Sequence, residues 1–418
     1  MTTNPTNRSI PNLSPSLSPS LASSLASSSS STDFPTEMLP NSSSTIISTN
    51  ASKNLIHSNK EEQKQSCSNQ SNLNLTLRYL VAVCQTNFPN PTNRMEIIDR
   101  TRKMLGMIDR VVIGYRPFGI VRLVTFPEFA HAAPIYETVD ELLDKLAIEI
   151  PNDYTEMYHK KAKEYGIYIQ TGSFLEKSPR YPGHVFNTTC LIGPEGLIYR
   201  YRKVHPWIPW EVHTSPHDLK DYTEPLFPVT NTEIGRIGTA ICYDWLFPEA
   251  IRELALQGAE ILIRVSAYMD PWGATPPMDW WTLINRTRAL ENIAYVAASN
   301  QGAEAHHYPP FSWPGGSMVV DFDGRILAQA DPGPGEKIVV APIDIHSLRD
   351  ERERRSGHHM LGHLRSEAYK MARNNYYPGS GLHQFPLSIE QNEQAIKIGK
   401  QNWHNAFTPR DQEDRSSG

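Results

Sequence analysis

The chain has 418 residues, a formal net charge of −5 and 39% hydrophobic residues. That length accommodates two or three domains, or one large α/β domain. There is no basic excess to neutralise a phosphate backbone, so nothing points to a nucleic-acid partner. No run of about 18 apolar residues marks a transmembrane helix, so no membrane partner is expected.

Residues 1–75 are dominated by Ser, Asn and Pro and hold hardly any aromatics. Such a segment buries too little apolar surface to offset its chain entropy, so a disordered extension is expected. Arg8 is not followed by a continuous apolar stretch, which argues against a secretory signal. Cys67, Cys84, Cys190 and Cys242 form no CxxC pair. A disulfide framework or zinc site is therefore not expected, and the usage fits a reducing cytoplasm.

Order is expected to begin near Arg78, where Tyr79–Cys84 reads as a buried strand. Residues 94–108 have helical periodicity. Ile120–Val124 reads as a strand that ends in Phe126-Pro127-Glu128. A helix is predicted from Tyr154 to Tyr165, stopped by Gly166, and a strand from Ile167 to Phe174. Residues 187–192 and 197–201 read as a hairpin around Gly193-Pro194-Glu195-Gly196. A strand over 234–241 precedes Pro248, which opens a helix through Gln257. Then come a strand at 261–265, a helix at 278–292 and a strand at 294–298. A second hairpin, 317–321 with 325–328, turns at Asp323-Gly324. Residues 338–343 read as a strand, and Ser347 onward as a charged helix ending in a Tyr/Pro/Gly-rich tail. Strands recurring with helices predict one large α/β domain over about 76–345. Residues 346–418 are left as a C-terminal arm, too polar for a core of their own.

Three places carry chemistry. Cys242 stands where the apolar strand Ile237–Ile241 runs into a helix start. Free backbone N–H groups there favour a thiolate and can donate to an oxyanion. Glu128 follows a strand end and sits between apolar neighbours, which raises a carboxyl pKa and suits a general base. Lys203 lies among Trp207, Trp210 and two prolines, and such a buried lysine needs an acidic partner. Glu211, eight residues on, and Glu128 are the candidates. Taken singly, each of the three also fits a structural role: a small core residue, a strand-end acid and a cationic hairpin edge.

Together and in this order they resemble the nitrilase superfamily, whose pattern is a Glu, a Lys and a Cys from three strand ends. Phe-Pro-Glu128, Tyr-Arg-Lys203 and Ile-Cys242-Tyr-Asp carry the resemblance, and Asn285–Asn292 with Val296 and Asn300 extends it. Lys203-Val-His-Pro-Trp207-Ile-Pro-Trp-Glu211 and Arg264–Pro271 are similar to the aliphatic amidase and formamidase branch. Tyr243 and Trp245 depart from that branch at the nucleophile, as does a longer linker from Glu211 to Cys242.

The resemblance implies a four-layer α-β-β-α sandwich that cleaves the C–N bond of a small amide through a Cys242 thioester. Glu128 is then the base, Lys203 the oxyanion cation, and Glu211 an orienting residue. Phe129, Trp207, Tyr243 and Tyr268 would wall the acyl pocket. It also implies no cofactor, and a homodimer or larger even-numbered assembly. His205, His213 and His217 lie close by, but no metal is expected. A nitrilase or N-carbamoyl hydrolase, an acyltransferase, or a non-catalytic scaffold are the rival readings. Tyr243-Asp244 stands where true nitrilases carry Trp-Glu, which weighs against the nitrile. Deleting residues 1–70 should leave turnover intact in a steady-state assay if that head is only an extension.

Overall fold

The computed structural model describes residues 77–89, 91–207, 210–269, 278–304, 306, 312–369 and 388–407. The Ser-rich head with Cys67, the segment 270–277 and the stretch 370–387 lie outside the described residues. All described residues belong to the compact unit Lys60–Gly418.

Tyr79–Cys84 forms β1 (Arg78–Gln85), and a short 3-10 turn at Arg94–Glu96 leads into α1 (Ile97–Tyr115). This helix runs beyond the predicted end because its buried stripe of Met104, Met107 and Ile108 continues to Val111. β2 (Val121–Thr125) is followed by α2 (Val139–Lys145), a helix the periodicity did not predict. Its signal was the cap: the Thr138 hydroxyl accepts from the Glu141 N–H. α3 (Asp153–Tyr165) is capped by Asn152 and ends at Gly166 in the left-handed region, as its sequence predicts. β3 (Tyr168–Ser178), β4 (Tyr181–Gly193) and β5 (Gly196–Arg202) form a meander whose second hairpin was predicted and whose first, β3–β4, was not.

The second half begins with β6 (Val229–Thr232), a short strand not predicted, and β7 (Gly235–Ile241). A 3-10 turn at Cys242–Leu246 joins β7 to α4 (Pro248–Leu256). β8 (Ile261–Ser266), α5 (Trp280–Asn292), β9 (Tyr295–Asn300), β10 (Met318–Val320), β11 (Ile326–Gln329), β12 (Lys337–Asp344) and α6 (Ile345–Arg354) follow. The tail contains a helix, α7 (Ile389–Phe407), started by the Ser388 hydroxyl accepting from the Gln391 N–H. Tyr, Pro and Gly upstream masked that cap in the compositional reading.

The strands make two six-stranded sheets, ordered β12-β1-β2-β3-β4-β5 and β11-β10-β9-β8-β7-β6. Alternation assigns the faces. Tyr79, Val81 and Val83 of β1 point to the core shared with the second sheet, whereas Ala82 and Cys84 point to the core under α1 and α3. α4 and α5 cover the outer face of the second sheet. The result is the expected four-layer α-β-β-α arrangement in a single α/β domain. Hydroxyls and an amide cross between the sheets: Thr125 meets Ser299 at 2.6 Å, and Thr239 donates to Gln170 at 3.0 Å. These buried bonds tie β2 to β9 and β3 to β7 across the two sheets.

One glycine shapes the ground under Glu128. Gly172 sits in the irregular pairing of β3 between Gln170 and Ser173, at φ +75°. A Cβ there would lie 2.5 Å from the Pro127 carbonyl oxygen and 3.0 Å from the Ala130 Cβ. Gly172→Ala should therefore cost about 1–3 kcal/mol and push back the Glu128 turn. Thermal unfolding checks the first effect, and an unchanged melting temperature would refute it.

Candidate active site

The three strand ends converge. Lys203, just past β5, donates from Nζ to Glu128 Oε1 at 2.8 Å and to Glu211 Oε1 and Oε2 at 2.7 and 2.8 Å. All three side chains are buried. The Cys242 thiol and the Glu128 carboxylate lie close enough to shift each other's protonation. The predicted polar residues Glu128, Lys203, Glu211 and Cys242 thus meet at one point.

Each is held by its surroundings. Glu128 Oε1 also accepts from Asn187 Nδ2 at 2.8 Å, and Oε2 from the Ala267 N–H at 2.9 Å. Its carbonyl oxygen accepts from Gln301 Nε2 at 2.7 Å. The next residue, Phe129, has φ 56°, and its N–H donates to the Ser173 hydroxyl. Glu211 accepts from the Trp207 N–H at 2.5 Å, and His213 Nε2 lies 3.2 Å from it.

Cys242 has φ 45°, a left-handed conformation that residues with a Cβ rarely adopt. Asp244 holds the turn closed. It accepts from the Ile241 N–H at 2.9 Å, from Tyr201 Oη at 2.6 Å, and from the His205 N–H at 2.9 Å. The same carboxylate therefore ties the cysteine turn to the lysine segment.

Burial and charge set the protonation states. Burial raises Glu128, with Glu211 adding to the rise and Lys203 opposing it, so that its pKa stands near 7. Burial also works against ionised Glu211, but Lys203 and His213 outweigh it and pull this carboxyl down to about 2. Burial opposes the Lys203 ammonium too, yet Glu128 and Glu211 hold its pKa above the ordinary lysine value. Cys242 is held as a thiol. Burial first, and the Glu128 charge second, push the thiol up to about 12. The helix-start N–H groups do not make a resting thiolate here, because the sulfur is desolvated and faces a carboxylate.

The four aromatic candidates divide. Trp207 and Tyr243 are half-buried, and Tyr243 meets Phe247 edge-on at 5.2 Å. Tyr268 is held by its N–H on Asn300 Oδ1 at 2.8 Å, with its ring 6.2 Å from Trp281. The Phe129 ring is buried against Phe88 and Trp210. Sequence reading missed Asn187, Ser266 and Arg264 as neighbours of the cluster. For Arg264 a signal existed: a charge inside the apolar run Ile261–Val265.

Residues 80–353 match the family model for carbon-nitrogen hydrolases. A formamidase of Bacillus thuringiensis (strain Al Hakam) is 30% identical over 270 residues, which is 63% of this chain and 74% of the relative. The C. elegans NitFhit protein is similar in structure, with a TM-score of 0.55 and 27% identity over 70% of this chain and 66% of that one. So is the amidase from Nesterenkonia sp. AN1, seen with the acetamide moiety of fluoroacetamide added at its active-site cysteine. Its TM-score is 0.53, with 18% identity over 71% of this chain and 95% of that one, a likeness of fold. The family match spans well over half of the chain and encloses every residue of the Glu–Lys–Cys cluster. The protein therefore belongs to the carbon-nitrogen hydrolases of the nitrilase superfamily, near the amidase and formamidase branch.

Proposed function

We propose that the protein hydrolyses a small aliphatic amide to a carboxylate and ammonia, with Cys242 as nucleophile. The observation that carries this reading is the junction of Glu128, Lys203 and Cys242, with one buried ammonium bridging two carboxylates beside the thiol. The formamidase relative supports an amide substrate.

In the resting site Cys242 is a thiol and Glu128, near neutral pH, shares its proton equilibrium with solution. The Glu128 carboxylate accepts the thiol proton as sulfur attacks the amide carbon. The carbonyl oxygen becomes an oxyanion, stabilised by Lys203 and by a backbone N–H of the Cys242–Tyr243 turn. Glu128 then gives its proton to the departing nitrogen, the C–N bond breaks, and ammonia leaves a Cys242 thioester. Water attacks the thioester carbonyl while Glu128 takes a proton from it. The C–S bond breaks, the acid departs, and the sulfur regains its proton. Glu211, held ionised by Lys203 and His213, keeps the ammonium aimed at this point. Trp207, Tyr243 and Tyr268 would flank the acyl group, and Phe129 would back it.

The pH dependence follows from the protonation states. The base works only as a carboxylate, and its pKa is raised, so kcat/KM should climb as pH rises through about 7. The thiol titrates near 12, so no second limb should appear in the mildly alkaline range. A profile already flat from pH 5 would contradict this assignment. Glu128→Gln should lower kcat about a hundred- to ten-thousand-fold and remove the acid limb.

The reaction class is tested by ammonia release from matched amide, nitrile and N-carbamoyl compounds, with Cys242→Ala as control. Turnover of amides that vanishes in the variant is expected. Turnover of the nitrile alone would overturn the reading.

A further inference from the structure

Arg264 sits in the middle of β8, fully buried, one rung from the nucleophile turn. Its backbone pairs with Ala240, and Val265 pairs with Ile241, the residue before Cys242. The guanidinium lies 4.3 Å from the Trp281 ring centre, 5.5 Å from Trp245 and 5.8 Å from Tyr268. Nη1 donates to Asn285 Oδ1 at 2.9 Å. No carboxylate forms an ion pair with it among the described residues, and its Nε and Nη2 have no hydrogen-bond partner there. The ionisable groups that act on it are Cys242, Tyr268, Arg288 and Glu128. Cys242 is faced in turn by Glu128, Lys203 and Arg264, with the Ser266 hydroxyl beside it.

A desolvated cation without an anion is costly, and buried charges in proteins are normally paired. The aromatic rings offset part of that cost. The remainder is explained by an anion that exists only during turnover. At rest, Glu128 and Glu211 crowd around Lys203, and Arg264 has no anion. When the thiol proton passes to Glu128, Glu211 keeps Lys203 and the new negative charge arises on sulfur, beside Arg264. Each cation then has one anion, and the total charge is unchanged.

We propose that Arg264 is a positioning residue that provides the counter-charge for the Cys242 thiolate. The inference rests on Cys242 being the nucleophile. Burial draws the guanidinium down to about 10, which leaves it charged at neutral pH. Its Nε and Nη2 N–H groups and the Ser266 hydroxyl are then donors held in readiness.

The test is the rate at which iodoacetamide labels Cys242 in the full chain, followed by peptide mass spectrometry from pH 6 to 10. Arg264→Gln should slow labelling about tenfold at neutral pH and displace its profile upward by about one pH unit. Arg264→Lys should restore part of the rate. Asn285→Asp places a permanent carboxylate against Nη1. It should hold or raise the melting temperature while also slowing labelling, a combination that loss of packing would not give. Labelling rates and profiles equal to the parent protein in both Arg264→Gln and Asn285→Asp would overturn the proposal. If Arg264→Gln does not fold, Asn285→Asp decides alone. The labelling needs no amide, so failure of the amide panel and failure of this inference are separate results.

Discussion

A lysine ammonium taken wholly out of water governs this site. Such a charge is tolerated only when its attraction to neighbours exceeds what it lost in hydration. Here two carboxylates at 2.7–2.8 Å meet that condition, and they are not equivalent. Glu211 is reinforced by His213 and by the Trp207 N–H, so it is the permanent partner. Glu128 is left with the weaker claim on the ammonium and with the thiol as neighbour. One cation thus splits two chemically identical acids into one held ionised and one poised near neutral pH.

The scaffold supplies this inequality through strand ends. Glu128 and Lys203 come from one sheet and Cys242 from the other, so their meeting depends on the two sheets keeping one alignment. Apolar packing between the sheets is broadly permissive about small shifts. The Thr125–Ser299 and Thr239–Gln170 hydrogen bonds are not, because a buried hydroxyl that loses its partner is penalised. Asp244 acts similarly at shorter range. It joins Tyr201 and His205, which flank Lys203, to the backbone before Cys242.

Most of the strand framework was legible because its signal is local. Tyr79–Cys84, Ile261–Val265 and the Asp323-Gly324 turn declare themselves by apolar runs or turn chemistry. The helices that were missed, α2 and α7, are marked by a single capping hydroxyl each, and polar composition conceals their short apolar faces. At the site, Glu128, Lys203 and Cys242 were readable as strand-end residues in a known order. Asn187 and Arg264 were not, because a polar side chain within a strand shows its purpose only once the facing layer is in place. How far the cysteine thiol is pushed up was not readable for the same reason. Local backbone dipoles can be read from sequence, whereas desolvation and the approach of Glu128 are products of the assembled fold.

β7 delivers its cysteine through a two-residue rhythm, in which successive side chains face opposite layers. The cysteine's address is therefore one of parity. Loops on either side can lengthen or shrink without altering it, but one residue inserted between Gly235 and Ile241 would turn the thiol's predecessor face about and set the wrong neighbour over Glu128.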